Sequence, residues 1–103
     1  MKFKVAVLGG GESIFPFSQI GADVFEAEGG IALSKQVSRL VKDGYALFFI
    51  SEDSLVKNTE ILDAYDKHPT VTVIPIPGLE SEDGFGLDRI RKMVEKALGQ
   101  SIL

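Results

Sequence analysis

Thr70-Val71-Thr72-Val73-Ile74-Pro75-Ile76-Pro77-Gly78 is β-branched almost throughout, and beyond it the chain runs from Gly78 to Gly86 into a stretch, Leu87 to Leu98, that alternates apolar and charged residues. A β-branched run closed by proline and glycine is a strand signal. The segment 78–86 reads as an acidic loop, and Leu87 to Leu98 as an amphipathic helix. Catalytic α/β domains place reactive side chains at the ends of their strands. This strand ends on prolines, a glycine and a few carboxylates, which points to a component of an assembly more than to an enzyme.

Upstream of this stretch lie three more short apolar runs: Phe3 to Leu8, the weaker Asp23 to Glu26, and Ala46-Leu47-Phe48-Phe49-Ile50. The third is unbroken, as in strands covered on both faces. Strands alternating with helical patterns predict a parallel sheet. Between the second and third runs, Leu33, Val37, Leu40 and Val41 fall at i, i+4, i+7 and i+8 of a helix over Ala32 to Asp43. Gly44 stands where a C′ glycine turns the chain out of that helix. A further helix is expected to start near Ser51 to Ser54, capped by Ser51 or Asp53. Its buried face would be Leu55, Ile61, Leu62 and Tyr65, and His68-Pro69 would stop it. Ser13 to Ile20 predicts a short, distorted helix with Pro16 near its first turn.

In the terminal helix, Leu87, Ile90, Met93, Val94, Ala97 and Leu98 share an arc of about 140°. Asp88, Arg89, Arg91, Lys92, Glu95 and Lys96 fill the remainder, and Gly99 is expected to end the helix before the apolar tip Ser101-Ile102-Leu103. The expected fold class is α/β, a single four-stranded parallel sheet flanked by helices, Rossmann-like or receiver-like. Residues 1–78 would form the sheet core, and 79–103 the acidic loop and C-terminal helix of the same domain.

Length and charge narrow the function. One domain is expected from 103 residues, and 45% hydrophobic residues are enough for a core. The net charge of -4 (11 Lys and Arg against 15 Asp and Glu) argues against nucleic acid or an anionic membrane as a partner. Cysteine is absent, so disulfides and thiolate chemistry are excluded. Met1-Lys2-Phe3-Lys4-Val5 enters a strand directly, so no signal peptide is expected. No apolar run approaches the ~20 residues of a membrane span. These features suggest a cytoplasmic protein without direct membrane insertion.

Motifs for chemistry are incomplete. Gly9-Gly10-Gly11 follows the first strand, but a dinucleotide fingerprint needs glycine at its sixth position, where this chain has Ile14. No Gly-Lys-Ser/Thr ending makes a P-loop. A simple glycine turn is the better reading. A phospho-acceptor receiver needs acids after the first strand, an Asp after the third and a Lys after the fourth. This chain has Gly9 to Glu12, then Ser51-Glu52-Asp53, then Pro75 to Gly78. Glu12 and Asp53 could meet near a divalent cation, yet the lysine is missing. His68 has no acid or histidine at ligand spacing. Glu80, Glu82 and Asp83 read as a solvated acidic run. Phe15-Pro16-Phe17 reads as core more readily than as an exposed anchor. No catalytic residue, cofactor or metal ligand is expected.

The ordered pieces nevertheless resemble one family over nearly the whole chain. Val5-Ala6-Val7-Leu8-Gly9, Glu12-Ser13 with Pro16-Phe17 and Gly21, Ile50-Ser51-Glu52, Val73-Ile74-Pro75-Ile76-Pro77 and Val94-Glu95-Lys96-Ala97-Leu98-Gly99 are similar to the F subunit of V-type and archaeal A-type rotary ATPases. Gly10 departs from that family, which often has an acid there; Glu12 is kept.

The resemblance implies strand order 2-1-3-4 and a non-catalytic place in the rotating central stalk, bound to the D subunit, a long coiled coil. The stalk couples ATP hydrolysis or synthesis in the head, made of the A and B subunits, to proton or sodium movement. It also implies that the C-terminal helix is a contact and regulatory element. Candidate partner-binding residues are Arg89, Arg91, Lys92, Met93, Lys96, Ile102 and Leu103, charge around apolar anchors. The alternatives are a stand-alone receiver-like signalling or small-ligand domain acting through Glu12 and Asp53, and a nucleotide-binding enzyme.

Overall fold

The computed structural model describes residues 3–76 and 84–102. The elements run β1 (Lys4–Gly9), α1 (Gly11–Ser18), β2 (Asp23–Glu26), α2 (Ile31–Lys42), β3 (Tyr45–Ser51), α3 (Glu52–Leu55), α4 (Glu60–Tyr65), β4 (Thr72–Ile76) and α5 (Gly84–Ile102). The four strands make one parallel sheet in the order β2-β1-β3-β4. Class and strand order are those expected.

Strand alternation sorts the core into two layers. Val5, Val7 and Phe49 point to one face, where they pack with Ile14 and Phe17 of α1 and with Val94 and Ala97 of α5. Ala6, Leu8, Phe48 and Ile50 point to the other, where Leu33, Val37 and Leu40 of α2, Leu55 of α3 and Ile61 of α4 cover them. Because successive strand side chains face opposite ways, a strand with helices on both sides must be apolar at every position. That is why β1 and the second half of β3 read as unbroken apolar runs.

The helix boundaries differ from the expected ones where side chains compete for backbone groups. Pro16 lies well inside α1, as its sixth residue rather than near its first turn. Having no N–H to donate, it is followed within two residues by the helix end, and Gln19 and Ile20 close the turn onto the carbonyls of Pro16 and Phe17. The single helix expected after β3 is broken in two around Asn58, which is buried and donates to the carbonyl of Gly30 (2.9 Å) and to Ser34 Oγ (2.8 Å). Ser51 does cap α3, accepting from the Ser54 amide. Gly44 has φ +102°, the left-handed turn out of α2.

β4 begins at Thr72 rather than Thr70, because His68 Nδ1 accepts the amides of Thr70 (3.2 Å) and Val71 (3.1 Å). The terminal helix is longer than its apolar pattern at both ends. It includes Gly84 to Gly86, which the turn residues assign to the loop, and it passes through Gly99 to Ile102 instead of stopping there. One glycine costs a helix interior only about 1 kcal/mol relative to alanine. Pro77, Gly78, the acids Glu80, Glu82 and Asp83, and Leu103 lie outside the described residues.

Candidate partner-binding surface

Position on α5 divides its residues between core and surface. Val94 is fully buried and Ala97 nearly so, while Leu98 packs against the same cluster. Periodicity alone leaves open which side of this helix meets the sheet; these three residues answer it. Met93, grouped by the helical arc with the buried stripe, is instead 48% exposed. One step of helix carries it about 100° away from Val94.

On the outer side, Arg89, Met93 and Lys96 follow at i, i+4 and i+7, with Lys92 beside them, and all four are exposed. Arg91 is half-buried. This arrangement, one flexible apolar side chain ringed by long cationic ones, can seat on a protein surface that offers an apolar notch with carboxylates around it. The backbone of Ile102 continues the helix; its side chain and the whole of Leu103 lie outside the described residues, so the expected apolar tip is not placed.

A second feature lies at the C-terminal ends of the strands, at the topological switch point, where β1 and β3 stay paired but lead into helices on opposite faces of the sheet. Doubly wound sheets bind ligands at this place. Here an open crevice of about 250 Å³ is lined by Gly9, Gly10, Glu26, Ala27, Glu28, Gly29, Asp53, Ser54 and Lys57. Asp53, one half of the expected acidic pair, is on its wall; the Glu12 side chain is outside the described residues. Among the described residues no group of three or more His, Asp or Glu side chains is arranged to hold a metal ion.

Gly9, at this crevice, serves packing. A Cβ on Gly9 would stand 2.8 Å from Ile14 Cγ2 and 3.4 Å from Ser51 Cβ. At Gly11, where α1 begins and a phosphate would sit, the Glu26 carboxylate already approaches, its Oε2 3.9 Å from where a side chain would start. An acid at this helix end suits the dipole and repels a second anion. Nearby, Gln36 is buried and bridges the chain leaving β2, accepting from the Glu28 amide and donating to the Glu26 carbonyl, both at 3.0 Å. Arg39 and Glu28 pair at 2.7 Å on the surface, where such a bridge contributes little.

Sequence reading missed two residues here. Ile31 and Val56 are 79% and 72% exposed, the most exposed large apolar side chains described. An apolar residue opening an amphipathic helix, or following a buried Leu55, carries no sequence signal that separates surface from core. Phe15 and Phe17, expected together in the core, are split: Phe17 is buried and Phe15 exposed.

A family profile described as the ATP synthase (F/14-kDa) subunit matches residues 5–94. The chain is 35% identical over 100 residues to the F subunit of the V-type ATP synthase of Clostridium botulinum (strain Eklund 17B / Type B), covering 97% of each. With the protein of the same name in Fusobacterium nucleatum subsp. nucleatum it shares 31% identity over 103 residues, all of this chain and 98% of the other. The Clostridium perfringens (strain 13 / Type A) counterpart is 32% identical over 100 residues, covering 97% of this chain and 95% of its own length.

Proposed function

Because the chain belongs to the family of the ATP synthase (F/14-kDa) subunit, we propose that it is a non-catalytic rotor component of a V-type rotary ATP synthase. In this reading it grips the coiled coil of the D subunit in the central stalk. It helps couple ATP hydrolysis or synthesis, in a head built from the A and B subunits, to ion movement. Its place is on the cytoplasmic side, peripheral to the membrane; no helix among the described residues is long and apolar enough to cross one.

One observation carries the proposal about the contact. α5 commits Val94 and Ala97 to its own core and leaves Met93 outside among Arg89, Lys92 and Lys96. The helix is therefore anchored by one side and available by the other. Met93 would supply the desolvated centre and the cations the rim, the division of labour that concentrates affinity in a few residues. Arg91, Ile102 and Leu103 complete the proposed contact. The crevice at the strand ends favours this reading over phosphate chemistry, since Glu26 stands at the start of α1.

Mixing the purified chain with the purified coiled-coil protein tests it. Co-elution at micromolar concentration is the expected result, and the combined substitutions Arg89→Glu, Lys92→Glu and Lys96→Glu should weaken it by about tenfold or more. A wild-type chain that elutes alone would refute the proposal. Removing residues 99–103 asks separately whether Ile102 and Leu103 belong to the contact; full affinity in that truncation removes them from it.

A further inference from the structure

We propose a second protein-binding surface at the C-terminal rim of the sheet, centred on Ile31 and Val56. Its occupant is a helix that carries lysine or arginine beside apolar residues and belongs to a component of the assembly other than the coiled coil at α5. The proposal rests on the rotor reading, but it uses different residues.

The apolar part of this surface is held in place. Asn58 donates to the Gly30 carbonyl and to Ser34 Oγ, fastening the turn between α3 and α4 to the first turn of α2. Ile31 directly follows Gly30, and Val56 lies two residues before Asn58, so the same two bonds bring both exposed side chains to one rim. Leu55 and Ile61, buried on either side of the turn, anchor it from below. Apolar contacts on a backbone this constrained bind without the entropic cost of ordering a loop.

Close chain neighbours of both residues line the crevice. Gly29, just before the Gly30-Ile31 step, and Lys57, next to Val56, both line it. A small molecule filling a crevice of this volume would leave Ile31 and Val56 in water, so an occupant that covers all three features must be macromolecular. Charge narrows the choice further. Glu26, Glu28, Asp53 and Lys57 are the charged residues among the described lining of the crevice. With Glu28 already paired to Arg39 at 2.7 Å, Glu26 and Asp53 face Lys57, and Glu52 is exposed next to Asp53. Nucleic acid and anionic membrane are repelled by such a lining, whereas a cationic side chain projecting from a helix would be drawn into it. Ile31 and Val56 belong to the helical layer opposite α5, so a straight rod seated on Arg89, Met93 and Lys96 does not reach them.

Two probes separate this proposal from the preceding one: the isolated coiled-coil protein, and the rotary complex purified without this chain. Full-length Ile31→Asp/Val56→Asp should melt like wild type and bind the isolated coiled coil with unchanged affinity. It should bind the depleted complex about tenfold more weakly or worse, the loss expected from removing a central apolar contact. Glu26→Gln/Asp53→Asn should flatten the salt dependence of binding to that complex. A benzoylphenylalanine photo-crosslinker at position 31 should join the chain to a segment rich in lysine or arginine. Wild-type affinity of Ile31→Asp/Val56→Asp for the depleted complex would overturn the proposal, as would an unchanged salt dependence in Glu26→Gln/Asp53→Asn. A cross-link to the coiled coil, to a second copy or to an acidic segment would also overturn it. Failure of the wild-type chain to bind the isolated coiled coil would count against the rotor reading instead.

Discussion

Gly9 and Ile14 are so close that a methyl group on Gly9 would stand 2.8 Å from Ile14 Cγ2. Ile14 is itself buried in the layer that joins α1 to the sheet, so it has little room to withdraw. The relationship explains a glycine that otherwise suggests a phosphate loop. β1 ends in glycine because a helix returns across it at once.

Gly9→Ala should therefore destabilise the fold by about 1–3 kcal/mol, the usual cost of overpacking. Gly29→Ala is the control: nothing lies within 4 Å of its added Cβ and its φ is not positive. Urea unfolding of both variants decides the matter. Equal midpoints would show that Gly9 is not a packing glycine.

Val94 and Met93 should respond oppositely to the same change. Val94→Asp removes burial worth about 1.5–3 kcal/mol and places a charge in the core, so its melting temperature should fall steeply. Met93→Asp alters a side chain that is 48% exposed; it should melt nearly as wild type and lose affinity for the coiled coil. Thermal melts followed by circular dichroism, with binding measured in parallel, distinguish the two.

Asn58→Asp should be worse than its size suggests. The carboxylate cannot donate to the Gly30 carbonyl, so a buried bond is replaced by a buried repulsion. Losing such a bond and leaving its partner unpaired costs about 1–3 kcal/mol. Asn58→Asp should lie at or beyond the upper end, with Asn58→Ala less affected, as read by denaturant midpoints. A neutral Asn58→Asp would show that the break between α3 and α4 does not depend on this side chain.

Alkaline pH should weaken the fold through Tyr45. Its phenol donates to Asp23 Oδ2 at 2.7 Å and stacks edge-on to Phe25 at 5.5 Å between centroids. Burial first, then the hydrogen bond and charge of Asp23 and the charge of Asp43, push its pKa up to about 12 from 10.0. The folded state holds this proton where the unfolded state has released it. The stabilisation is complete below pH 10 and disappears as the pH rises toward about 12. Tyr45→Phe should remove that part of the stability loss, and with it the late-titrating absorbance near 295 nm.

Much of the architecture was legible because it depends on patterns shorter than the fold. Leu33, Val37 and Leu40 at helical spacing, and the apolar run through Phe48-Phe49-Ile50, report burial without reference to any distant residue. Ser51 as a cap and Gly44 as a left-handed exit are local in the same way. The break between α3 and α4 arose where a side chain reaches groups far along the chain. Asn58 breaks a helix through bonds to Gly30 and Ser34, and no window of sequence around Asn58 contains either partner. His68, by contrast, delays β4 through amides only two and three residues away; that bond was within reach of a closer reading.

Taken alone, the order of residues determined the parallel α/β class, the strand sequence along the chain and the family. All three follow from short-range periodicity and from motifs that keep their order. Which side of α5 meets the sheet, why Gly9 is glycine, and how Ile31 comes to share a rim with Val56 were decided only by tertiary structure. Each depends on the distance between residues far apart in the chain, and that distance is fixed by the packing of whole layers.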